Sequence, residues 1–275
     1  MDLRALLALL FTVAVWGVTP VFLRTLSIAL GPADHIVIRY ALVTIALACG
    51  LAVTGRWRIG RQDWPRLAII SLIGMVGYNI GAAYGFELVS AGIGSLIIGT
   101  QPLLIAAMAA IVARERLTPV AMLGLAIGFT GTVLLVWKDV GVAGDATDFL
   151  KGSVFIFLCG LAWAVYVVVS KPLIQKYGSY SITAISISLA SLIMVPLMAR
   201  TSTLDTLVAM TPRNWFDMAY IAILSTLVAT ITWNYGAGRL PAAASGAFIY
   251  LVPIIGVGAG ALILGEAVTP GMLLG

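Results

Sequence analysis

Apolar residues run along this chain in long blocks, and polar residues gather in short patches between them. A spanning helix needs about 20 mostly apolar residues to cross roughly 30 Å of hydrocarbon. Blocks of that length cover residues 3–26, 34–53, 64–86, 92–112, 119–137, 152–173, 180–198, 215–235 and 242–264. The pattern predicts a tenth helix beginning at Pro270, with the sequence ending inside it at Gly275. The connectors carry stop and start chemistry: Gly31-Pro32, Thr118-Pro119, Thr269-Pro270. Threonine caps a helix by accepting a backbone N–H. Proline fits the first helical position, where its missing N–H costs nothing.

One phrase is written twice. "VARERLTPVAMLG" (Val112–Gly124) returns 151 residues later as "ILGEAVTPGMLLG" (Ile263–Gly275), matching Glu115 to Glu266, Thr118 to Thr269 and Pro119 to Pro270. Pro102 and Pro253 share the offset, as do Tyr84-Gly85 and Tyr235-Gly236. At an offset of 147, "VWGVTPVFLRTL" (Val15–Leu26) aligns with "AWAVYVVVSKPL" (Ala162–Leu173), pairing Trp16 with Trp163 and Arg24 with Lys171. Five predicted spans separate Glu115 from Glu266. An odd number puts the two copies on opposite membrane faces, which is an inverted-topology repeat, a transporter arrangement. The expected fold is therefore an all-α integral membrane protein of ten transmembrane helices in a 5+5 inverted repeat. Its halves are 1–138 and 152–275, with an outer connecting loop at 139–151.

Composition agrees: 61% of the 275 residues are hydrophobic and 10% charged, against about 25% charged in soluble domains. The net charge of +5 does not imply nucleic acid, because the basic residues sit in short loops. With the N-terminus inside, ten Lys and Arg fall in inner loops and four in outer ones, so the positive-inside rule puts the N-terminus in the cytoplasm. The single His35 and the two cysteines, Cys49 and Cys159, inside apolar runs, give no metal-site spacing. We expect no metal, no cofactor and no ATP-binding loop. Without a His base or paired acids in the spans, an enzyme is not expected. The partners expected are the lipid bilayer and a small-molecule substrate; oligomeric state is left open.

Polar and aromatic residues inside spans are costly unless they face protein or a wet cavity. Trp16 and Trp163 lie too deep for an interfacial belt, which is the reading for Trp64, Trp137, Trp215 and Trp233. With Tyr78, Asn79, Gln101, Tyr166 and Tyr250, they form the candidate substrate-binding set. Arg24 and Arg39 lie a few positions inside the outer helix ends, and two readings stand for them: snorkelling to headgroups, or contact with a substrate carboxylate. Pro20, Pro102 and Pro253 are expected to kink their helices. Glycines at four-residue spacing (Gly77, Gly81, Gly85; Gly256, Gly260) read as close helix packing. Glu115 and Glu266 are assigned a structural role, each favouring the positive end of the helix that follows it. No acid falls at mid-membrane, which argues against a carrier of lipophilic cations.

The segments "AVWGVTPVF", "QPLLIAAMAAIVARERLTP" and "VPIIGVGAGALILGEAVTP" make the chain resemble the EamA branch of the drug/metabolite transporter superfamily, over essentially its whole length. The resemblance implies export of small metabolites across a bacterial inner membrane, with exporters of aromatic and other neutral amino acids as the nearest suggestion. Exporters of purine-like or quaternary-ammonium solutes, and a non-transport membrane protein, are the alternatives.

Overall fold

In the computed structural model, residues 2–55, 58–112, 145–198 and 203–269 are described, with Arg114 and scattered positions between 119 and 134. Among these, eight helices are long and apolar enough to cross a membrane. The predicted tenth span, Glu115, Trp137 and most of the predicted fifth span lie outside the described residues. The helices are α1 (Leu3–Leu30), α2 (Pro32–Thr54), α3 (Arg61–Leu88), α4 (Ala91–Val112), α5 (Ala146–Tyr177), α6 (Ser179–Met198), the short α7 (Thr203–Ala209), α8 (Pro212–Ala237) and α9 (242–264).

Two details depart from the sequence reading. Helix α5 starts at Ala146, inside the expected 139–151 loop. The Asp145 carboxylate caps it, accepting the N–H groups of Thr147 and Asp148 at 2.8 and 3.2 Å. Hydropathy stopped short there because Asp148 and Lys151 occupy the first turns, where they pair with each other at 3.1 Å. Helix α7 was not anticipated; Thr206 ties it to Asp34 of α2 at 3.1 Å.

The packing is reciprocal. Helix α1, first of the first half, lies against α8 and α9 of the second. Helix α5, first of the second half, lies against α3 and α4 of the first. Glu266, just past the end of α9, sits at Ala91, where α4 begins. The equivalent helices α4 and α9 therefore run in opposite directions, as an inverted repeat requires.

Irregularities recur in pairs at the 151-residue offset. Helix α3 turns π-helical at Ile70–Gly77, and α8 does so at Tyr220–Val228. Helix α4 breaks at Gly99 and Thr100, between Ala91–Ile98 and Gln101–Val112. Helix α9 tightens to a 3₁₀ turn at Phe248–Tyr250 before Leu251–Leu264. Pro102 and Pro253 explain the second pair. Each lacks the N–H that would bond back into the preceding turn, and each restricts the residue before it. Pro20 is accommodated inside α1 without ending it.

The glycine stripe on α3 packs α5. A Cβ on Gly81 would stand 2.8 Å from the Phe155 carbonyl oxygen, and one on Gly85 would stand 2.5 Å from Ile156 Cδ1. At Gly77 the nearest atoms are 3.7 Å away. Gly256 of α9 closes on Ser95 and Gly17 in the same way. Gly81→Val should therefore force α3 from α5 and lower stability by about 1–3 kcal/mol, the usual cost of overpacking. Gly77→Ala should leave stability nearly unchanged. Thermal unfolding in detergent checks both, and equal losses would mean the stripe is not an α3–α5 contact.

Candidate functional site

Where the two halves meet, a cavity of about 60 Å³ opens at mid-bundle. Helix α1 contributes Trp16, Thr19, Pro20 and Leu23, and α2 contributes Arg39 and Tyr40. Helices α3 and α4 add Met75, Tyr78, Asn79, Ile98 and Gln101. The second half adds Trp163 from α5, Ser225, Thr226 and Thr230 from α8, and Ile249 and Val252 from α9. One water takes roughly 10–15 Å³ by this measure, so the space holds a few waters. The irregular segments supply much of this wall: Met75, Ser225 and Thr226 lie in the π-helical turns, and Gln101 follows the break in α4.

Aromatic rings fill the centre. Trp163 meets the Trp16 ring edge-on at 5.0 Å, stacks on Tyr166 at 4.9 Å, and lies 5.4 Å from Tyr78. Trp233 is also part of this cluster, 5.2 Å from Trp16 and 5.9 Å from Trp163. It is fully buried, so its expected place in the interfacial belt is corrected. Nearness to the end of α8 misled, because α8 packs that end against α1 with Gly236 closing on Leu9. Trp64 and Trp215 are half exposed, as belt residues are.

The polar wall is organised around Asn79. Its carboxamide oxygen accepts from the Arg39 guanidinium, while its NH₂ donates to the Tyr40 hydroxyl and to the Met75 carbonyl at 2.7 Å. Arg39 is 3% exposed and forms no ion pair among the described residues. It therefore does not snorkel. Opposite, the Trp16 indole N–H donates to the Ser225 carbonyl at 3.1 Å, and the Thr19 and Ser225 hydroxyls meet at 2.9 Å.

Other candidates lie elsewhere. Arg24 is not on the cavity wall; it donates to the Phe86 and Val89 carbonyls and pairs with Glu266 at 3.5 Å. Glu266 caps a different helix from the one expected. Its two carboxylate oxygens accept the N–H groups of Ala91 and Gly92, at the start of α4, at 2.9 and 3.0 Å. Tyr166 stands behind Trp163, fully buried, its hydroxyl accepting from Asn234 at 2.6 Å. Tyr250 is 46% exposed on the outer surface. The 3₁₀ turn advances each residue further around the axis than an α-helix does, so Ile249 takes the inward position instead. Cys49, expected to be buried, is on the outer surface, whereas Cys159 is buried. Tyr40, Ser225, Thr226 and Thr230 line the cavity and were missed, although each is a polar residue inside a span.

Polar contacts lie beyond both ends of the cavity. Toward the end where α4 begins, Asp217 accepts from Thr25 at 2.8 Å and from Arg213 at 2.7 Å, beyond the Phe22–Tyr220 ring pair at 4.2 Å. Toward the other end, Asn234 also donates to Thr183 at 2.8 Å, and Asp63 accepts from Lys176 and Tyr177, each at 2.6 Å.

The EamA-like transporter family matches the chain twice, over residues 3–137 and 150–275. The chain belongs to the EamA-like transporter family. It is a membrane transporter, not an enzyme. It is 26% identical to the probable terminal-alkyne amino-acid exporter of Streptantibioticus cattleyicolor, over 99% of this chain and 89% of that protein. It is 25% identical to the aromatic amino acid exporter YddG of Ancylobacter novellus, over 90% of this chain and 80% of that one. It is also 22% identical to the probable amino-acid metabolite efflux pump of Salmonella typhimurium, over 67% and 63%. A solved crystal structure shares the fold at a TM-score of 0.69 and 21% identity, covering 98% of this chain and 91% of the other.

The Glu266 contacts give a direct test in this EamA-family chain. Hydrogen bonds to a charged group contribute about 1.5–3 kcal/mol each, so Glu266→Gln should lower stability by about 1–3 kcal/mol. Substrate preference should not change. Normal unfolding with abolished transport would place Glu266 in the transport cycle instead.

Proposed function

We propose that this protein exports small neutral metabolites, chiefly amino acids and aromatic ones among them, by alternating access across a bacterial inner membrane. The observation that carries the reading is the small, aromatic-lined cavity between two inverted halves, with a buried guanidinium in its wall. The names of the amino-acid exporters among its relatives support it. The surplus of Lys and Arg in the loops on one side supports an N-terminus in the cytoplasm.

Trp16, Tyr78 and Trp163 supply ring faces and edges for an apolar side chain. Asn79, Gln101 and Arg39 supply donors for its polar end. A solute entering from either side separates the rings that line the cavity, and the contacts beyond its two ends open in turn. Arg39 disfavours a quaternary-ammonium cargo, because like charges repel at short range in a medium of low dielectric.

Trp163→Ala should weaken transport of tryptophan and phenylalanine more than that of threonine and alanine. Ring pairing contributes about 0.5–1.5 kcal/mol beyond area burial, so the excess loss should be roughly 2- to 10-fold. Uptake of the four solutes into proteoliposomes measures it, with Trp163→Phe as the variant that keeps a ring. Equal loss of all four would make Trp163 a gate or a packing residue, and no loss would move the site elsewhere.

A further inference from the structure

Among the described residues, three side chains of the cavity wall carry an N–H donor that is closed off from open space and has no partner: Arg39 Nε, Gln101 Nε2 and Trp163 Nε1. All three side chains line it, at 3%, 3% and 5% exposure. Orphaned buried donors are rare in native proteins, and each calls for an explanation. No Asp or Glu is among the described lining residues. Gln101 also opens the second segment of α4, Gln101–Val112, whose amino end carries the positive pole of that helix's dipole.

The balance of groups is therefore one-sided. The wall offers a permanent cation, with no carboxylate among its described residues to receive one. A carboxylate fits this arrangement, since its charge neutralises Arg39 and its oxygens accept from a guanidinium. A zwitterion also brings a carboxylate but leaves the buried site with a net positive charge. Its ammonium would have ring faces and hydroxyls to rest on, in the field of Arg39. A free amine brings no acceptor charge at all.

We propose that the substrate class is apolar and aromatic carboxylate monoanions, with the α-ammonium group not read by the protein. N-acylated or desamino relatives of large amino acids should then bind better than the amino acids themselves. The inference rests on the reading of this cavity as the transport site, and departs from the neutral amino acids proposed above in favour of carboxylate monoanions.

Binding to the purified full chain in detergent, by calorimetry near neutral pH, separates the two readings. The probes are 3-phenylpropionate, N-acetyl-L-phenylalanine, L-phenylalanine and phenethylamine, which share a ring and differ in charge. We expect 3-phenylpropionate and the N-acetyl compound to bind roughly tenfold or more tighter than phenylalanine, with phenethylamine weakest. Arg39→Gln should abolish that advantage and Arg39→Lys should keep part of it, both variants being checked for folding by gel filtration and thermal unfolding. Phenylalanine binding as tightly as 3-phenylpropionate to the unmodified protein would overturn the monoanion preference and leave the amino-acid reading standing. An advantage that survives Arg39→Gln would overturn the role of Arg39. If none of the four binds the folded protein, the reading of the cavity as a site for such solutes falls, and this inference with it.

Discussion

The guanidinium of Arg39 lies inside a bundle that must satisfy its own polar groups, because hydrocarbon offers none. It has the Asn79 carboxamide on one side and the Tyr40 ring at 5.5 Å. Much of the cavity wall is arranged around that charge. Asn79 accepts from Arg39 while Tyr40 and Met75 hold its NH₂, which fixes the orientation of the carboxamide. Met75 belongs to the π-helical turn of α3, so the irregular backbone and the buried charge form one unit. A bound carboxylate would complete it.

The inverted repeat gives this unit a counterpart across the cavity. The π-helical turn of α8 presents the Ser225 carbonyl to the Trp16 indole, as that of α3 presents the Met75 carbonyl to Asn79. The breaks in α4 and α9 form a second matched pair. Such segments hold fewer regular backbone bonds, and irregular turns of this kind often mark hinges and functional sites. Around them, α1 and α5 cross between the halves on glycine-lined contacts at Gly17, Gly81 and Gly85. The bundle thus joins rigid crossings to deformable turns, which suits a cavity that must open to alternate sides.

Much of this is legible in the sequence. Hydropathy found the eight described spans because hydrocarbon thickness sets their length. The repeat was legible because Pro102 and Pro253, which mark the matched breaks, cannot be replaced without changing the backbone. Trp16, Tyr78, Asn79, Gln101 and Trp163 were picked as polar or aromatic groups at depth, and all five line the cavity. What failed depended on neighbours. Position along α8 could not reveal that α1 covers Trp233. The partner of Arg24 lies 242 residues away, at Glu266, where no local pattern reaches. Tyr250 turned outward because a single 3₁₀ turn shifts the register that a regular helix implies. The start of α5 was missed because hydropathy does not register an Asp145 cap.

The central claim is that the ring cluster and Arg39 together hold one solute at mid-bundle. A crystal structure with bound 3-(4-bromophenyl)propionate tests it most directly, because bromine is located by its anomalous scattering independently of the phases of the protein. The account predicts bromine among Trp16, Tyr78 and Trp163, with the carboxylate on Arg39. Bromine outside this cavity, or the ligand reversed with its carboxylate away from Arg39, would contradict it.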